Sequence, residues 1–322
     1  MLNDPVLLND WHAVAPVEQV KSQVMLATQI LGEDLVLWYA DGEIMAWQDL
    51  CIHRGTRLSL GEVRDNTLHC PYHGWVYNAS GQCVHIPAHP EQAPPAKARV
   101  KSYACTVAYD LVWVCLGDPT QAPPPFPEWE LADYRKLLCG PYRVPASGPR
   151  IIENFLDIAH FPFVHEGILG VKDRPEIADY EADITADGVE ARGVQVYQPD
   201  PYGTGRGDTV RYTYRAYRPL TAYLRKESDG PQFSILLTIL PHSPVDSTAW
   251  MWMTMNYGHD IPAEELVTWQ DGIFIQDRPI VQSQRPELLP LDLQAELHLR
   301  SDRLAIAYRQ WLNQLGLSFG TA

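Results

Sequence analysis

The chain has 322 residues, 46% of them hydrophobic and 20% charged, an ordinary balance for a soluble globular protein of one large or two medium domains. With 40 acidic and 25 basic residues the net charge is −15, which argues against nucleic acid and anionic membranes as partners and leaves room for a basic protein or a cationic substrate. No apolar run approaches the ~20 residues of a membrane helix.

The opening stretch, MLNDPVLLNDWHAVAPVEQV, lacks a basic start and a long apolar core, so it does not read as a secretory signal and a cytoplasmic location is expected. Residues 22–49 read as strands. SQVMLATQIL, DLVLWYA and EIMAWQDL are short and rich in β-branched and aromatic residues. They are parted by Gly32-Glu33-Asp34 and by Asp41-Gly42, the latter a strong hairpin signal. CIHRGTRLSLGE follows as a loop, Asp65-Asn66 marks a turn, Thr67 to His69 a short strand, and CPYHGW a second loop. WVYNASGQCVHI reads as a hairpin turning at Ala79-Ser80-Gly81, and residues 100–116 as two further strands. Residues 1–118 are therefore expected to form an all-β domain with two loops at its tip, and the proline-rich residues 119–128 a linker.

Residues 129–322 form the second expected domain. RIIENFLDIAHF reads as a helix over 150–161 that ends near Pro162. Residues 181–257 read as strands, with a turn at Asp187-Gly188. A helix over 262–285 has Pro262 near its start and Glu264-Glu265 in its first turn. A last helix is capped by Ser301 and stopped by Gly316. An antiparallel sheet flanked by helices makes this domain α+β.

The most specific chemical signal is Cys51-Ile52-His53 and, sixteen residues on, Cys70-Pro71-Tyr72-His73. Each loop offers one thiolate and one imidazole. A structural zinc site takes its ligands as C-x₂₋₄-C and H-x₃₋₅-H pairs, and here Cys and His alternate instead. Two Cys on one iron and two His on the other is the ligand set of a Rieske [2Fe–2S] cluster. Gly55 and Gly74 let backbone come close to it. The other cysteines, Cys83, Cys105, Cys115 and Cys139, read as reduced structural thiols in an unsecreted chain.

A second constellation lies in IIENFLDIAHFPFVHEG. On a helix Asn154, Asp157 and His160 recur every three residues and share a face, and His165 follows beyond Pro162. Two His and a carboxylate make the facial triad of a mononuclear non-haem Fe(II). Asp157 is one candidate carboxylate and Asp277 the better one. In the 262–285 helix Leu266, Trp269, Ile273, Asp277, Ile280 and Gln284 fall at steps of three and four, which puts Asp277 on the apolar, inward face. A buried Asp needs a cation. Arg278 is adjacent and cannot face it, and Arg285 lies two turns away. The run Gly203-Thr204-Gly205-Arg206-Gly207 does not match a dinucleotide fingerprint and reads as a mobile loop, so electrons must come from a separate NAD(P)H-dependent reductase or a ferredoxin.

CIHRGT, CPYHGW, ENFLDIAHFPFVH and QDRPIVQSQRP together resemble the Rieske non-haem iron oxygenases, terminal oxygenase component, over nearly the whole chain. The resemblance implies that Cys51, His53, Cys70 and His73 bind [2Fe–2S] and that His160, His165 and Asp277 bind iron. It further implies that Asp157 bridges a cluster His of one subunit to an iron-binding His of its neighbour in a head-to-tail homotrimer. High-potential Rieske proteins carry an extra Cys in each loop, and its absence here points to the low-potential subtype. GQCVHIPAHP, YDLVWVCLGDP and SDRLAIAYRQWLNQLG are similar to a branch that includes vanillate and toluenesulfonate demethylases and the saxitoxin-pathway hydroxylases. The expected activity uses O₂ to hydroxylate or O-demethylate a small aromatic or alkaloid substrate, by mono- or dioxygenation, with pocket walls from residues 165–180 and 180–257. The alternative is a Rieske electron-transfer protein without oxygenase activity.

Overall fold

The first third of the chain is bent by two-residue turns whose central residues are both left-handed: Leu31-Gly32, Asp41-Gly42, Asp65-Asn66 and Tyr109-Asp110. That backbone matches the twist of the flanking strands, so each turn closes a tight hairpin. The computed structural model describes residues 4–322. It begins with α1 (Pro5–Leu8), capped by the Asp4 carboxylate, then β1 (His12–Pro16) and α2 (Val17–Gln23). Ser22 and Gln23 thus end a helix rather than open a strand. The hairpins join β2 (Met25–Ile30), β3 (Glu33–Ala40) and β4 (Glu43–Gln48), then β5 (Glu62–Arg64) and β6 (Thr67–His69). After β7 (Val76–Tyr77) and β8 (Cys83–His85), the last of them joins β9 (Ser102–Ala108) to β10 (Leu111–Cys115).

Two antiparallel sheets result, one of order β1-β10-β9-β4-β3-β2 and one of order β5-β6-β7-β8. The loop after β4 and the loop after β6 carry the two Cys-His motifs. A core of Trp38, Trp47 and Tyr77 lies beneath them, with Trp38 on Trp47 at 4.7 Å and Trp47 on Tyr77 at 6.5 Å, both edge to face. Such contacts are worth about 0.5–1.5 kcal/mol each beyond the area they bury. Cys51, Cys70 and Cys83 are buried in the same cluster.

The chain divides between Pro123 and Pro124 into two units. The second is built on a seven-stranded antiparallel sheet of order β11-β17-β16-β15-β14-β13-β12. Its strands are β11 (Arg135–Val144), β12 (Ala182–Thr185), β13 (Gly188–Gln198), β14 (Asp208–Arg218), β15 (Thr221–Glu227), β16 (Phe233–Ser243) and β17 (Asp246–Met255). β16 and β17 are buried along almost their full length, and their unbroken apolar run reflects cover on both faces. β11 is an edge strand that hydropathy alone does not reveal, because Pro141 and a register shift between Cys139 and Tyr142 break its alternation.

The unit adds four helices, three of which pack on this sheet. The four are α3 (Gly148–Leu156), α4 (Phe161–Val164), α5 (Ala263–Ser283) and α6 (Arg303–Leu315). Three expectations need correction. The helix expected over 150–161 stops at Leu156, and Asp157 is its extended C-cap (φ −87°, ψ 132°). Pro162 does not end that helix but opens α4, where a missing N–H costs nothing. α6 starts at Arg303 after a 3₁₀ turn over Arg300–Asp302, so Ser301 is not its cap, whereas Gly316 is the left-handed C-cap (φ 75°).

Charged side chains lock α3 to α6. Glu153 of α3 accepts two hydrogen bonds from Arg309 of α6, at 2.5 and 2.8 Å, and Glu296 bridges Arg309 to Arg150. Arg150 and Arg309 are buried, and at that depth an unpartnered charge would cost several kcal/mol. With both guanidinium charges paired to carboxylates, the network holds the end of α3 where the next turn begins.

Candidate metal centres and their cavity

The two Cys-His loops repeat one hydrogen-bond pattern. Cys51 N–H donates to Thr56 O and Gly55 N–H donates to Cys51 O. Cys70 N–H donates to Trp75 O and Gly74 N–H donates to Cys70 O. Each loop therefore curls back on its own cysteine. Gly55 (φ 72°) and Gly74 (φ 66°) close the curl in a conformation that L side chains rarely adopt, and a Cβ on Gly74 would sit 3.1 Å from Pro87 Cγ.

The curl brings the four expected residues together. The Cys51 and Cys70 thiols contact each other, and the amides of Tyr72 and His73 hydrogen-bond the Cys70 sulfur. Burial pushes the Cys70 thiol up and the adjacent Cys51 adds to this, a cost to its thiolate that a bound cation would offset. The His53 and His73 rings lie 4.5 Å apart, and Trp75 stacks flat on His53 at 4.5 Å. His53 Nδ1 is buried and has no protein hydrogen-bond partner. Two thiols, two imidazoles and an orphaned ring nitrogen fit a [2Fe–2S] cluster. No described cysteine is in a disulfide.

Sequence reasoning missed one residue here. Tyr77 Oη lies 3.1 Å from Cys51 Sγ in the buried core. Burial and the neighbouring Cys51 both push the phenol pKa up, so it stays protonated and has an O–H to offer the Cys51 sulfur. Tyr77 follows Val76 in a short strand, and its type alone carries no sign of that role.

In the second unit, His160 is the N-cap and His165 the C-cap of the single turn α4. One helical turn returns the chain on itself, so the two rings meet at 5.1 Å. Asp277 of α5 completes the group: its Oδ1 lies 3.4 Å from His160 Nε2 and 3.1 Å from His165 Nε2. The three ligand atoms fall within 4.8 Å of one another. Asn154 and Asp157 do not share a helix face with His160, since the helix ends between them. Asp157 nonetheless reaches His160 across the turn, its Oδ1 accepting from Ala159 N–H at 2.8 Å and its Oδ2 meeting Nδ1 at 3.1 Å. On α5 the expected apolar stripe is partly wrong: Trp269 and Ile280 are 44% and 45% exposed, while Gln270, Ile273, Phe274 and Val281 face inward.

The outer atoms of both imidazoles are committed. His160 Nδ1–H donates to Asp157, and His165 Nδ1–H donates to Gln276 Oε1 at 2.8 Å. Each Nε2 then presents a lone pair to the others and to Asp277 Oδ1, which is buried without a hydrogen-bond donor. Three acceptors crowded together repel unless a cation lies among them. Burial pulls the His160 imidazole down, but Asp157 and Asp277 outweigh it and lift its pKa to about 9. The field that would hold a proton there suits a divalent metal equally well. Two His and one carboxylate with open remaining positions fit non-haem Fe(II). Gln276 was not foreseen; it precedes Asp277 but points elsewhere on the helix, and nothing in the sequence couples it to His165.

The triad lines a cavity of about 650 Å³, in the range of small-molecule sites. Its walls come from α3, α4, the strand ends and α5. Residues 170–180, expected among them, take no part, and residues 258–277, not expected, form one side. The Gly203–Gly207 run lies in the loop between β13 and β14, where Tyr202 and Gly203 reach the cavity. Among the described residues no helix is long and apolar enough to cross a membrane.

Comparisons with known proteins agree with this chemistry. Residues 10–104 match the Rieske [2Fe-2S] domain, and residues 144–318 match the vanillate O-demethylase oxygenase C-terminal domain. The chain is 39% identical to a probable methylxanthine N7-demethylase, NdmC, of Pseudomonas sp. (strain TJI-51), over 98% of this chain and 96% of that one. A shorter stretch, 36% of this chain and 20% of the relative, is 36% identical to the oxidoreductase NdmD of Pseudomonas putida. The solved structure of Pseudomonas putida NdmA with caffeine superposes with a TM-score of 0.84 at 28% identity, covering 96% of this chain and 90% of that one. With its all-β cluster-binding domain and its α+β domain, the chain belongs to the Rieske non-haem iron oxygenases, as a terminal oxygenase that carries a [2Fe–2S] cluster and a mononuclear non-haem iron.

Proposed function

We propose that this oxygenase removes a methyl group from a ring nitrogen of a small heteroaromatic substrate of the methylxanthine type. The observation that carries the reading is the convergence of His160, His165 and Asp277 on one wall of an apolar, ring-sized cavity. Similarity to a methylxanthine N7-demethylase along nearly the full chain supports the substrate class. In this reading Cys51, His53, Cys70 and His73 hold the cluster, and His160, His165 and Asp277 hold the iron. When bound, the two metal groups supply single electrons and activate O₂ for insertion into a C–H bond.

The chain's own residues set the stage for that reaction. Asp157 and Gln276 take the Nδ1 protons, which fixes each imidazole as the tautomer whose Nε2 is free to bind metal. Phe155, Ile273 and Phe274 exclude water and take the flat face of a ring. Gln270, buried on α5, offers an amide to a ring carbonyl or nitrogen. Oxygen insertion into N–CH₃ consumes O₂, two electrons and two protons and gives an N-hydroxymethyl group and water. The C–N bond then breaks, formaldehyde leaves and the ring keeps N–H. Electrons come from a separate reductase, and the stretch shared with NdmD supports a partner of that type.

The assembly proposed is a head-to-tail homotrimer. His73 is exposed at the tip of its loop, and the Asp157 side chain, beyond His160 from the iron ligands, is 34% exposed. A neighbour's cluster His reaching Asp157 would connect cluster to iron through one carboxylate.

Four outcomes are expected. Supplied with a reductase and NADH, the enzyme should release formaldehyde from an N-methylxanthine in step with O₂ uptake; uptake without formaldehyde would exclude demethylation. Asp277→Ala should lower the iron content to that of the cluster alone while keeping a Rieske-type EPR signal, and unchanged iron would remove Asp277 from the ligand set. Asp157→Asn should keep both metals and the trimer mass in light scattering but lose activity by about 10–100-fold or more; normal turnover would end the bridging role. Tyr77→Phe should lower the cluster's midpoint potential, because a hydrogen bond to sulfur favours the reduced, more negative state. An unshifted potential in redox titration would show that the phenol does not tune it.

A further inference from the structure

One charge in the cavity takes no part in the iron site and has no carboxylate partner among the described residues. Lys226, near the end of β15, lines the cavity and is only 6% exposed. Its cross-strand neighbours are Tyr212 on β14 and Phe233 on β16. The ammonium lies 5.2 Å from the ring centre of Tyr202, 5.6 Å from that of Phe233 and 5.9 Å from that of Tyr212. Its one protein hydrogen bond goes to Pro201 O at 2.9 Å. Among the described residues no carboxylate pairs with it. Apart from the iron-site Asp277, which faces His160 and His165, the acids that share the cavity, Asp200, Asp260 and Glu265, are exposed, and Asp200 Oδ1 is taken by the amides of Thr204 and Gly205.

A buried ammonium with two N–H groups to spare is a poor structural choice. Lysine is seldom fully buried unless paired, and three aromatic faces and one carbonyl only partly replace water. Burial alone lowers its pKa to about 8, so the charge is retained at neutral pH but at a cost that an anion would offset. Tethering the loop at Pro201 would be served as well by a neutral donor.

We propose that Lys226 is a specificity residue that binds a negatively charged oxygen of the substrate. The inference rests on the demethylase reading and narrows it. The substrate would be an N-methyl heterocycle that carries such an oxygen, either the ionised imide of a xanthine that keeps a ring N–H or a ring carboxylate. The flanking Tyr202, Tyr212 and Phe233 would cover the ring that bears it. A fully N-methylated xanthine, which cannot ionise, would gain nothing from the charge.

Binding of three probes to the iron-loaded holoenzyme tests this by calorimetry. They are a monomethylxanthine methylated at N7, caffeine, and N-methylpyrrole carboxylate. The wild type should bind at least one ionisable probe about tenfold or more tighter than caffeine, as expected for a charge-assisted hydrogen bond. Lys226→Met should erase that preference with caffeine affinity little changed, and Lys226→Arg should keep it. The probe that shows the preference identifies imide or carboxylate as the source of the oxygen. A wild type with no preference for either ionisable probe overturns the proposal, as does a Lys226→Met protein that keeps the preference or weakens all probes equally. The last result would mark a purely structural lysine. Formaldehyde release is scored separately: anion-selective binding without formaldehyde overturns demethylation alone, and formaldehyde with an unselective Lys226 overturns this inference alone.

Discussion

Three lone pairs face one another where His160, His165 and Asp277 meet, and much of the second unit is arranged so that they do. As neutral imidazoles the two rings satisfy neither each other nor Asp277, because both have turned their Nδ1 protons outward; an added proton on His160 or a metal ion does so, and the raised His160 pKa reflects that demand. The arrangement is unfavourable as bare protein and favourable around a cation. The protein tolerates it because each ligand is fixed from behind: His160 by Asp157, His165 by Gln276, Asp277 by its place on α5. Metal sites are commonly tuned by such outer partners as much as by the ligands.

The scaffold explains how two histidines five residues apart reach one point. α4 is a single turn, and its caps are the two ligands. So short a helix has no stability of its own. It is held between α3, whose end is pinned to α6 through Glu153 and Arg309, and the inward face of α5. The buried ion network is therefore tied to the site at one remove. A shift of α3 would move Asp157 and with it the tautomer of His160.

The cluster end uses a different device. Two loops of unrelated length repeat the same backbone curl, which lets C-x-H and C-x-x-H present equivalent ligands. The aromatic core beneath them has a chemical as well as a packing part. Trp47 positions Tyr77, and Tyr77 reaches the Cys51 sulfur. The low potential expected from the missing loop cysteines would thus be opposed by one hydrogen bond that only the packed core creates.

The residues proposed to hold both metal groups were legible because metal ligation demands rare residue types at short spacings, and a Cys-His pair or a His-x₄-His stands out in any chain. Asp277 was legible for a related reason, as an acid at an inward position of a helical repeat. The hairpins were legible from Asp-Gly, since few residues accept left-handed backbone. The path of the chain between Asn154 and His165 was not: helical spacing continued in the letters, while packing ended the helix at Leu156 and restarted it at Pro162. Nor could the sequence couple Tyr77 to Cys51, Gln276 to His165, or Lys226 to a ring of aromatics. Tyrosine, glutamine and lysine are common on any surface, and their roles arise from what is buried beside them. Local spacing, then, picked out the candidate metal ligands, and the resemblance of their motifs to a family supplied the reaction class. Tertiary packing alone decided which neutral and cationic groups surround them, because burial and hydrogen-bond partners belong to neighbours distant in the chain.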